Sequence, residues 1–429
     1  MIVHCAAKIG WATQYSEDLG HGNTYSGARC QPVCLTPPDL TLTVGHSMSG
    51  VAAKQPAPQA SVTWARARAF RLQRMHLVSP LDPRWLRRIA RDVGGIQAQV
   101  QSAAELQCAA RADGLAKGAI ERALYKTRVL VKTWMMRGTI HYLDPDDLPV
   151  WASASATRRS WNKAYWQKAF GITAKEVEAA VEIIPKALDG ACLTREALAD
   201  EVHRITRNAA LDELMRAGWG SILKIVAAEG GLCFGPSEGR NVTFTRPDQW
   251  LKGWRDPPPT EEAMKEVCKR YLASHGPATR EEFARWWGFA PAAATKVLRA
   301  LEDQVVLIDR EGDKAYVLRH DLSQLQAAKE DRRVRMLPMF DAYTLAGLPH
   351  DAIVPKDRKN EVYRKGAWVS QAVTQGGRII GVWVHEAKPK GTTIDVKLFR
   401  KNSVSRVEIE AALAPYEEFL GEVTKLSIA

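Results

Sequence analysis

The stretch Gly94-Gly95-Ile96-Gln97-Ala98-Gln99-Val100-Gln101 interrupts helical sequence with two glycines and then places amide side chains at every second position. In a helix Gln97 and Gln99 would face about 200° apart, whereas in an extended connector they share one side. The glycines favour the extended form. Two neutral amides on one side can hold a water molecule in a fixed orientation without adding charge. The alternative is that the glutamines only cap or solvate a helix end.

The sequence on both sides of this connector predicts a small helical unit that ends in a hairpin. Helical periodicity precedes the glycines and returns over residues 103–112 and 116–125. A β-prone run over 129–136 turns at Arg137-Gly138-Thr139 and continues over 140–143. Asp144 followed by Pro145 predicts the start of another helix. Three helices and a hairpin are typical of one winged-helix unit.

The same order of elements recurs twice further along the chain. The predicted helices and hairpin strands of these two repeats cover residues 173–187, 194–198, 211–228, 231–235 and 242–245, then 260–273, 279–284, 291–301, 305–308 and 315–318. A repeat spacing of roughly 75 to 90 residues predicts tandem modules instead of one large core.

The predicted fold class is α+β, mainly α, with three tandem winged-helix modules followed by a small C-terminal β-barrel-like domain. Residues 1–63 are rich in Gly, Ser, Thr, Pro and Ala without periodicity, which predicts a disordered extension. After residue 322 short alternating strands separated by Gly and Pro turns predict the β domain. The predicted domains are the disordered extension 1–63, winged helix 1 with the Gln-x-Gln motif 64–170, winged helix 2 171–256, winged helix 3 257–322 and the β domain 323–429.

Composition and charge indicate the compartment and the kind of partner. The 429 residues carry 60 Lys and Arg against 48 Asp and Glu, a net charge of +12 that suggests a polyanionic partner such as DNA. No apolar run long enough for a membrane span and no secretory signal pattern is present in the sequence. Seven scattered cysteines fit reduced thiols, and the spacing of His4, Cys5, Cys30 and Cys34 matches no standard zinc finger. We therefore expect a cytoplasmic, nucleoid-associated monomer that uses no cofactor or metal and no membrane.

Basic side chains at the hairpins and in the third repeat are candidate DNA contacts. They are Arg137 in the first hairpin, Arg240 and Arg246 in the second, and Lys296, Arg299, Arg310 and Lys314 in the third. Each alone fits a solvated surface charge better than a DNA contact. Together they would supply the salt-dependent part of duplex binding.

Three sequence blocks resemble a known family. Gly95-Ile96-Gln97-Ala98-Gln99, then Trp134-Met135-Met136-Arg137-Gly138-Thr139-Ile140-His141-Tyr142, then Leu337-Pro338-Met339-Phe340-Asp341-Ala342-Tyr343 resemble the winged-helix DNA glycosylases of the AlkZ and YcaQ type. The resemblance covers about residues 65–425. It implies three tandem winged helices and a β domain forming a C-shaped clamp on DNA. It also implies catalysis at Gln97 and Gln99, in the Gln form of the motif that is similar to the azinomycin-resistance branch.

The chemistry that this resemblance implies suits two amides. An N7-alkylated purine is already cationic, so it leaves without protonation through a transition state with oxocarbenium character at C1′. What remains is to orient water and to stabilise positive charge on the sugar. The resemblance therefore implies a monofunctional glycosylase that acts on double-stranded DNA with alkylated bases or interstrand crosslinks.

Some assignments stay open at the level of sequence. Arg137 and His141 are either phosphate or lesion contacts, or a turn charge and a packed histidine. Asp341 is expected to form a structural ion pair or a helix cap, because a carboxylate in an apolar frame needs a partner. The alternative function is a non-catalytic winged-helix DNA-binding protein, either a regulator or a damage-shielding factor. A protein that sequesters a toxin is a third option.

Overall fold

Residues 61 and 62, which the sequence assigns to a disordered extension, are part of the fold. The computed structural model describes residues 57–164, 167–168, 171–216, 221–345 and 349–429, so most of the predicted extension lies outside the described residues, including His4, Cys5, Cys30 and Cys34. The last residues assigned to that extension form strand β1 (Ser61–Val62), which pairs in parallel with residues 309–310. Helix α1 (Trp64–Arg74) follows, capped by the Thr63 side chain.

The first repeat contains the glutamine stretch. Its main elements are α2 (Leu86–Asp92), β2 (Ile96–Gln97), α3 (Gln101–Ala109), a short helical segment (Ala119–Glu121 and Arg122–Lys126), β3 (Val131–Trp134) and β4 (Ile140–Leu143). The strands form an antiparallel sheet in the order β2-β4-β3. Asp144 caps the turn behind β4 as predicted, and α4 (Leu148–Ser155) follows.

The second repeat follows the same plan. Its elements are α5 (Ala174–Ala187), β5 (Leu193–Thr194), α6 (Arg195–Thr206), α7 (Ala209–Arg216), α8 (Ser221–Ala228), β6 (Cys233–Glu238), β7 (Asn241–Thr245) and a short helix (Pro247–Trp250). Thr173 and Glu176 form a reciprocal capping box at the start of α5. The single helix predicted over 211–228 is described as two helices, α7 and α8.

The third repeat includes strand β1 and helix α1, which precede the first repeat in the sequence. Its elements are α9 (Thr260–His275), α10 (Arg280–Trp287), α11 (Pro291–Ala300), β8 (Val305–Arg310) and β9 (Asp313–Leu318). Strand β1 joins the edge of this hairpin, and Phe70 of α1 is buried with Val306 and Ile308. The first described segment of the chain is therefore part of the third repeat and not of the first.

One pairing pattern is common to all three repeats. In the first two, a two-residue strand lies ahead of a helix and pairs with the second hairpin strand, β2 with β4 and β5 with β7. In the third, Ala278 forms the corresponding bridge to Tyr316 of β9. Each repeat thus ties its middle helix to its hairpin through one short segment.

The C-terminal region is an open sheet and not a closed barrel. Its elements are α12 (Leu322–Ala327), β10 (Val334–Leu337), short helices (Ala342–Leu345 and Lys359–Val362), β11 (Tyr363–Arg364), β12 (Trp368–Val369), β13 (Ala372–Gln375), β14 (Arg378–Lys388), β15 (Gly391–Leu398), α13 (Arg406–Leu413), α14 (Glu417–Leu420) and β16 (Val423–Ile428). Strands β10-β13-β14-β15-β16 form one sheet with β10 and β16 at its edges. The prediction of a barrel is wrong because α13 packs against β10, so a helix covers the apolar face that closure would otherwise bury.

The predicted α+β class with a majority of helix is confirmed. No helix within the described ranges is both long and apolar enough to cross a bilayer. In the same ranges, no three His, Cys, Asp or Glu side chains are grouped so as to hold a metal ion.

Candidate active site and DNA-binding residues

Two glycines redirect the chain from α2 into the first sheet. Gly94 and Gly95 have φ of +73° and +97°, a backbone region that favours glycine. A Cβ at residue 95 would lie 2.7 Å from Met136 Cε and 2.8 Å from Leu143 Cδ2. Glycine at this position therefore allows β2 to lie directly against β4, and this contact positions the glutamines.

Gln97 is held through its backbone by two neighbours, His141 and Gln107. Its backbone pairs with His141 of β4, and its carbonyl oxygen accepts a hydrogen bond from Gln107 Nε2 at 3.1 Å. The residue is only 6% exposed. Its carboxamide makes no hydrogen bond to the residues that the structure describes. The donors and the acceptor of this carboxamide are therefore available to a ligand or a water molecule.

Gln99 is partly exposed, and its side chain accepts a hydrogen bond from the backbone of β4. The backbone N–H of Ala98 donates to Ile140 O at 2.7 Å, and the N–H of Ile140 donates to Gln99 Oε1 at 3.4 Å. One lone pair of Oε1 is therefore turned towards β4. The Nε2 group and the second lone pair remain available on the open side.

His141 lies opposite Gln97 and is neutral. It is almost fully buried, and its Nδ1 lies 2.9 Å from Thr139 O. A carbonyl oxygen only accepts, so Nδ1 carries the proton and Nε2 is an acceptor. Burial, together with the charges of Arg137 and Arg158, lowers the pKa of His141 to about 3. His141 therefore cannot attract a phosphate by charge, which removes one basis on which it was assigned to DNA binding.

Arg137 lies at the turn between β3 and β4 and points towards the third repeat. Its φ of +58° is rare for a residue with a side chain. Its Nη1 donates to the carbonyl of Trp286, near the end of α10, at 3.3 Å. Burial and the nearby charge of Arg158 lower the pKa of Arg137 to about 10. This residue is thus a partly desolvated cation within the same sheet as the glutamines.

The remaining predicted DNA contacts lie on the other two repeats and are not brought to the glutamines. Arg240, Arg299 and Lys314 are exposed. Lys296 pairs with Glu261 at 2.9 Å, a fully solvated pair that contributes little. Arg246 is half-buried and lies between two carboxylates, with Asp189 at 2.8 Å and Asp248 at 2.6 Å.

Arg310 is a correction to the predicted DNA-binding set. Its side chain is fully buried, and its guanidinium donates to both carboxylate oxygens of Glu282 at 2.6 and 3.1 Å and to Pro277 O at 2.7 Å. It also stacks over the ring of Trp64 at 3.8 Å. An arginine enclosed in this way stabilises the third repeat and has no face open to a phosphate.

Asp341 has both structural roles that the sequence predicts for it. Arg111, which follows α3, donates to its two carboxylate oxygens at 2.7 and 2.8 Å, and both residues are buried. The same carboxylate also accepts from the backbone N–H of Tyr343 at 2.9 Å. This bidentate pair fixes the C-terminal region to the helix behind the glutamines.

The sequence did not indicate the supporting residues Gln107 and Arg158. Gln107 is fully buried in α3 and anchors the Gln97 carbonyl, but a lone glutamine ten residues away has no recognisable pattern. Arg158 acts on both Arg137 and His141 from a segment 21 residues beyond the hairpin turn. Only the folded arrangement brings these groups to the same sheet.

Comparisons with known proteins agree with this architecture. The profile of the family described as "DNA glycosylase AlkZ-like" matches residues 90–419. An interstrand DNA cross-link repair glycosylase from Streptomyces sahachiroi is 35% identical over 326 residues, which is 75% of this chain and 87% of that protein. The solved structure of Streptomyces sahachiroi DNA glycosylase AlkZ superposes with a TM-score of 0.79 at 32% identity, covering 86% of this chain and 99% of the other. The chain therefore belongs to the AlkZ-like family of DNA glycosylases.

Proposed function

We propose that this protein hydrolyses the N-glycosidic bond of alkylated purines in duplex DNA, including purines within interstrand crosslinks, and that Gln97 and Gln99 position the attacking water. The observation that carries the proposal is the pair of amides that β2 fixes beside β4, one of them with an unbonded carboxamide. The relative from Streptomyces sahachiroi, a cross-link repair glycosylase, supports the inclusion of crosslinks among the substrates.

The three side chains closest to the proposed chemistry are all uncharged. Gln97 and Gln99 have no proton to give at neutral pH, and His141 is neutral with its proton directed at Thr139 O. A site of this kind cannot protonate a leaving base. It suits a base that is already cationic, since alkylation at N7 supplies the positive charge before binding. The amide oxygens then face a sugar on which positive charge develops, and their dipoles stabilise it.

We further propose that the three repeats are winged-helix modules and that they hold the duplex. The shared pairing of a short strand with the second hairpin strand supports this assignment. On this proposal the modules cover about residues 77–170, 171–256 and 257–322, with β1 and α1 added to the third. The exposed side chains Arg240, Arg299 and Lys314 contact phosphates. The enzyme acts as a monomer on chromosomal DNA in the cytoplasm and needs no metal.

The experiment that tests the proposal is a base-release assay. Purified protein is incubated with a duplex that carries one N7-methylguanine, and abasic sites are revealed by strand cleavage under alkali. We expect cleavage at the lesion at a rate well above spontaneous depurination, and none in the unmodified duplex. A protein that shifts the duplex in a gel yet releases no base would be a non-catalytic DNA-binding protein, and the proposal would be wrong.

A further inference from the structure

Two arginines close to the first sheet lack the partners that other buried cations in this protein have. Arg137 makes one hydrogen bond, to Trp286 O, and Arg158 makes no hydrogen bond or ion pair with the described residues. No carboxylate of those residues lies within 4 Å of either guanidinium. The internal segments outside the described ranges contain no Asp or Glu.

Both guanidiniums lie around the C-terminal end of α10. Arg137 reaches the carbonyl of Trp286, and the guanidinium of Arg158 lies over the ring of Trp287 at 5.3 Å. A Cβ at Gly288 would lie 3.4 Å from Arg158 Nε, so the glycine gives the guanidinium room against the backbone. Burial lowers the pKa of both arginines, and the charge of Arg158 lowers that of Arg137 further. The protein therefore holds two like charges together at a partly desolvated place, which is unfavourable unless an anion joins them.

A simple helix cap does not account for the arrangement. The end of a helix carries about half a negative charge, which is less than the charge of the two arginines. Each guanidinium offers donors along several directions, yet the two together make only the one hydrogen bond to Trp286 O among the described residues. The unused donors are the feature that a bound anion would explain.

Arg158 lines a cavity of about 610 Å³ between the end of α4 and helices α9 and α11. Most other cations of this cavity are already paired. The pairs are Arg159 with Glu229 at 2.6 Å, Lys265 with Glu262 at 2.6 Å, and Lys296 with Glu261 at 2.9 Å. Arg158 and the exposed Lys163 are the cations of this lining that have no carboxylate partner among the described residues.

We propose that Arg137 and Arg158 together bind one backbone phosphate of the DNA strand, next to the nucleotide whose sugar faces Gln97 and Gln99. Arginine suits this role because its planar fork matches two phosphate oxygens, and the ring of Trp287 fixes the plane of Arg158. Arg137 is three residues before Ile140, so the Cα atoms of Arg137 and Ile140 are within about 11 Å of each other. The N–H of Ile140 donates to the side chain of Gln99. The phosphate would thus set the register of the strand against the glutamines. This inference rests on the proposed function only in taking a DNA strand as the ligand.

The test combines a change in the protein with a change in the DNA. Equilibrium binding is measured for wild type and Arg158→Gln on a duplex with 2′-fluorinated N7-methylguanine, whose glycosidic bond resists hydrolysis. A set of otherwise identical duplexes carries one uncharged methylphosphonate at each linkage up to three nucleotides from the lesion. We expect Arg158→Gln to lose about tenfold in affinity on the all-phosphate duplex, the effect of one lost charged hydrogen-bond pair. At one linkage, replacing the phosphate by a methylphosphonate should lower the affinity of wild type by a similar factor. The same replacement should lower the affinity of Arg158→Gln by less than twofold.

The matched control is Arg159→Gln, because Arg159 is adjacent in sequence and in the same cavity but is already paired with Glu229. Its affinity should stay within twofold of wild type at every linkage. Arg158→Lys keeps the charge without the planar fork and should lose less than Arg158→Gln, at the same linkage. If Arg158→Gln fails to fold, the lysine variant decides the same comparison.

Two outcomes overturn the phosphate site. Either Arg158→Gln binds as wild type does, or its loss is equal on every duplex regardless of which linkage is neutral. Failure of this proposal is distinguishable from failure of the proposed function because the readout is binding. A protein in which the effects of Arg158→Gln and of one methylphosphonate depend on each other, but which releases no base from N7-methylguanine, has the phosphate site and is not a glycosylase. A protein that releases base without this dependence is a glycosylase that lacks the phosphate site.

Discussion

The first and third repeats use one scaffold in two ways. In the first, Gln97 pairs with His141 where a short strand meets the hairpin, and in the third the corresponding bridge joins Ala278 to Tyr316. In the third repeat the buried guanidinium of Arg310 is paired with the carboxylate of Glu282. In the first, the carboxamide of Gln97 makes no hydrogen bond to the described residues, and Arg137 makes one, to Trp286 O. Groups that are satisfied internally stabilise a fold, whereas groups left without partners are positioned for a ligand.

The largest expected effect is on catalysis in the first repeat. Gln97→Ala and Gln99→Ala should each lower the single-turnover rate of base release by roughly ten- to a thousandfold, the range for a lost positioning or dipolar group. Affinity for the duplex should change only a few-fold, because neither amide is charged. Release by the double variant at the wild-type rate would refute the assignment of these residues.

Removing the charge of Glu282 in the third repeat should lower the stability of the protein. Glu282→Gln leaves Arg310 buried with an unbalanced charge, so the free energy of unfolding in urea should fall by about 3 kcal/mol. Base release per folded molecule should stay close to wild type at low temperature. An unchanged midpoint in urea would mean that Pro277 O, Asp313 and the Trp64 ring suffice to hold Arg310.

A pH titration compares a buried histidine of the first repeat, His141, with one of the third, His275. Burial lowers the pKa of His141 and of His275 to about 3, from an ordinary value of 6.5. Between these values the unfolded chain binds one more proton per histidine, so stability is present above pH 6.5 and is lost as the pH falls. Each histidine should contribute a slope of about 1.4 kcal/mol per pH unit. His141→Asn and His275→Asn should each remove such a slope from the pH dependence of urea unfolding, while only His141→Asn changes base release.

The smallest effects are expected on the exposed surface of the second and third repeats. Arg240→Ala and Arg299→Ala should each weaken duplex binding by a few-fold, equally for damaged and undamaged DNA. Each should also reduce the slope of log affinity against log salt concentration by about 1. A slope identical to that of wild type would show that the residue faces away from the DNA.

Local signals in the sequence predicted most elements, and long-range pairing accounts for what was missed. Thr173 and Asp144 mark their helix starts by capping, which depends only on neighbouring residues. Strand β16 was missed because it is recognisable only through its parallel pairing with β15, and the same holds for β1 on β8. The predicted barrel failed because packing of α13 on β10 cannot be read from strand periodicity.

The same distinction applies to the site. Gln97 and Gln99 were predicted because a glycine pair and an alternating pattern lie within eight residues. Arg310 was misassigned because its position near a hairpin turn resembles a surface charge, and its partner Glu282 lies 28 residues earlier. Arg158 was not identified, since its significance is the lack of a carboxylate nearby, a property of three-dimensional surroundings alone.

The attachment of α1 to the third repeat has a consequence for how the protein is made. Residues 61–74 emerge from the ribosome before the three repeats, but the strands and core that receive them extend from residue 305 to residue 325. At a synthesis rate of about 5 to 20 residues per second, this segment waits on the order of 12 to 50 seconds for its binding surface. The first repeat can assemble during that interval, while the amphipathic leading helix stays exposed to chaperones. A truncation that removes residues 61–74 should therefore disturb the third repeat, which is translated well after them.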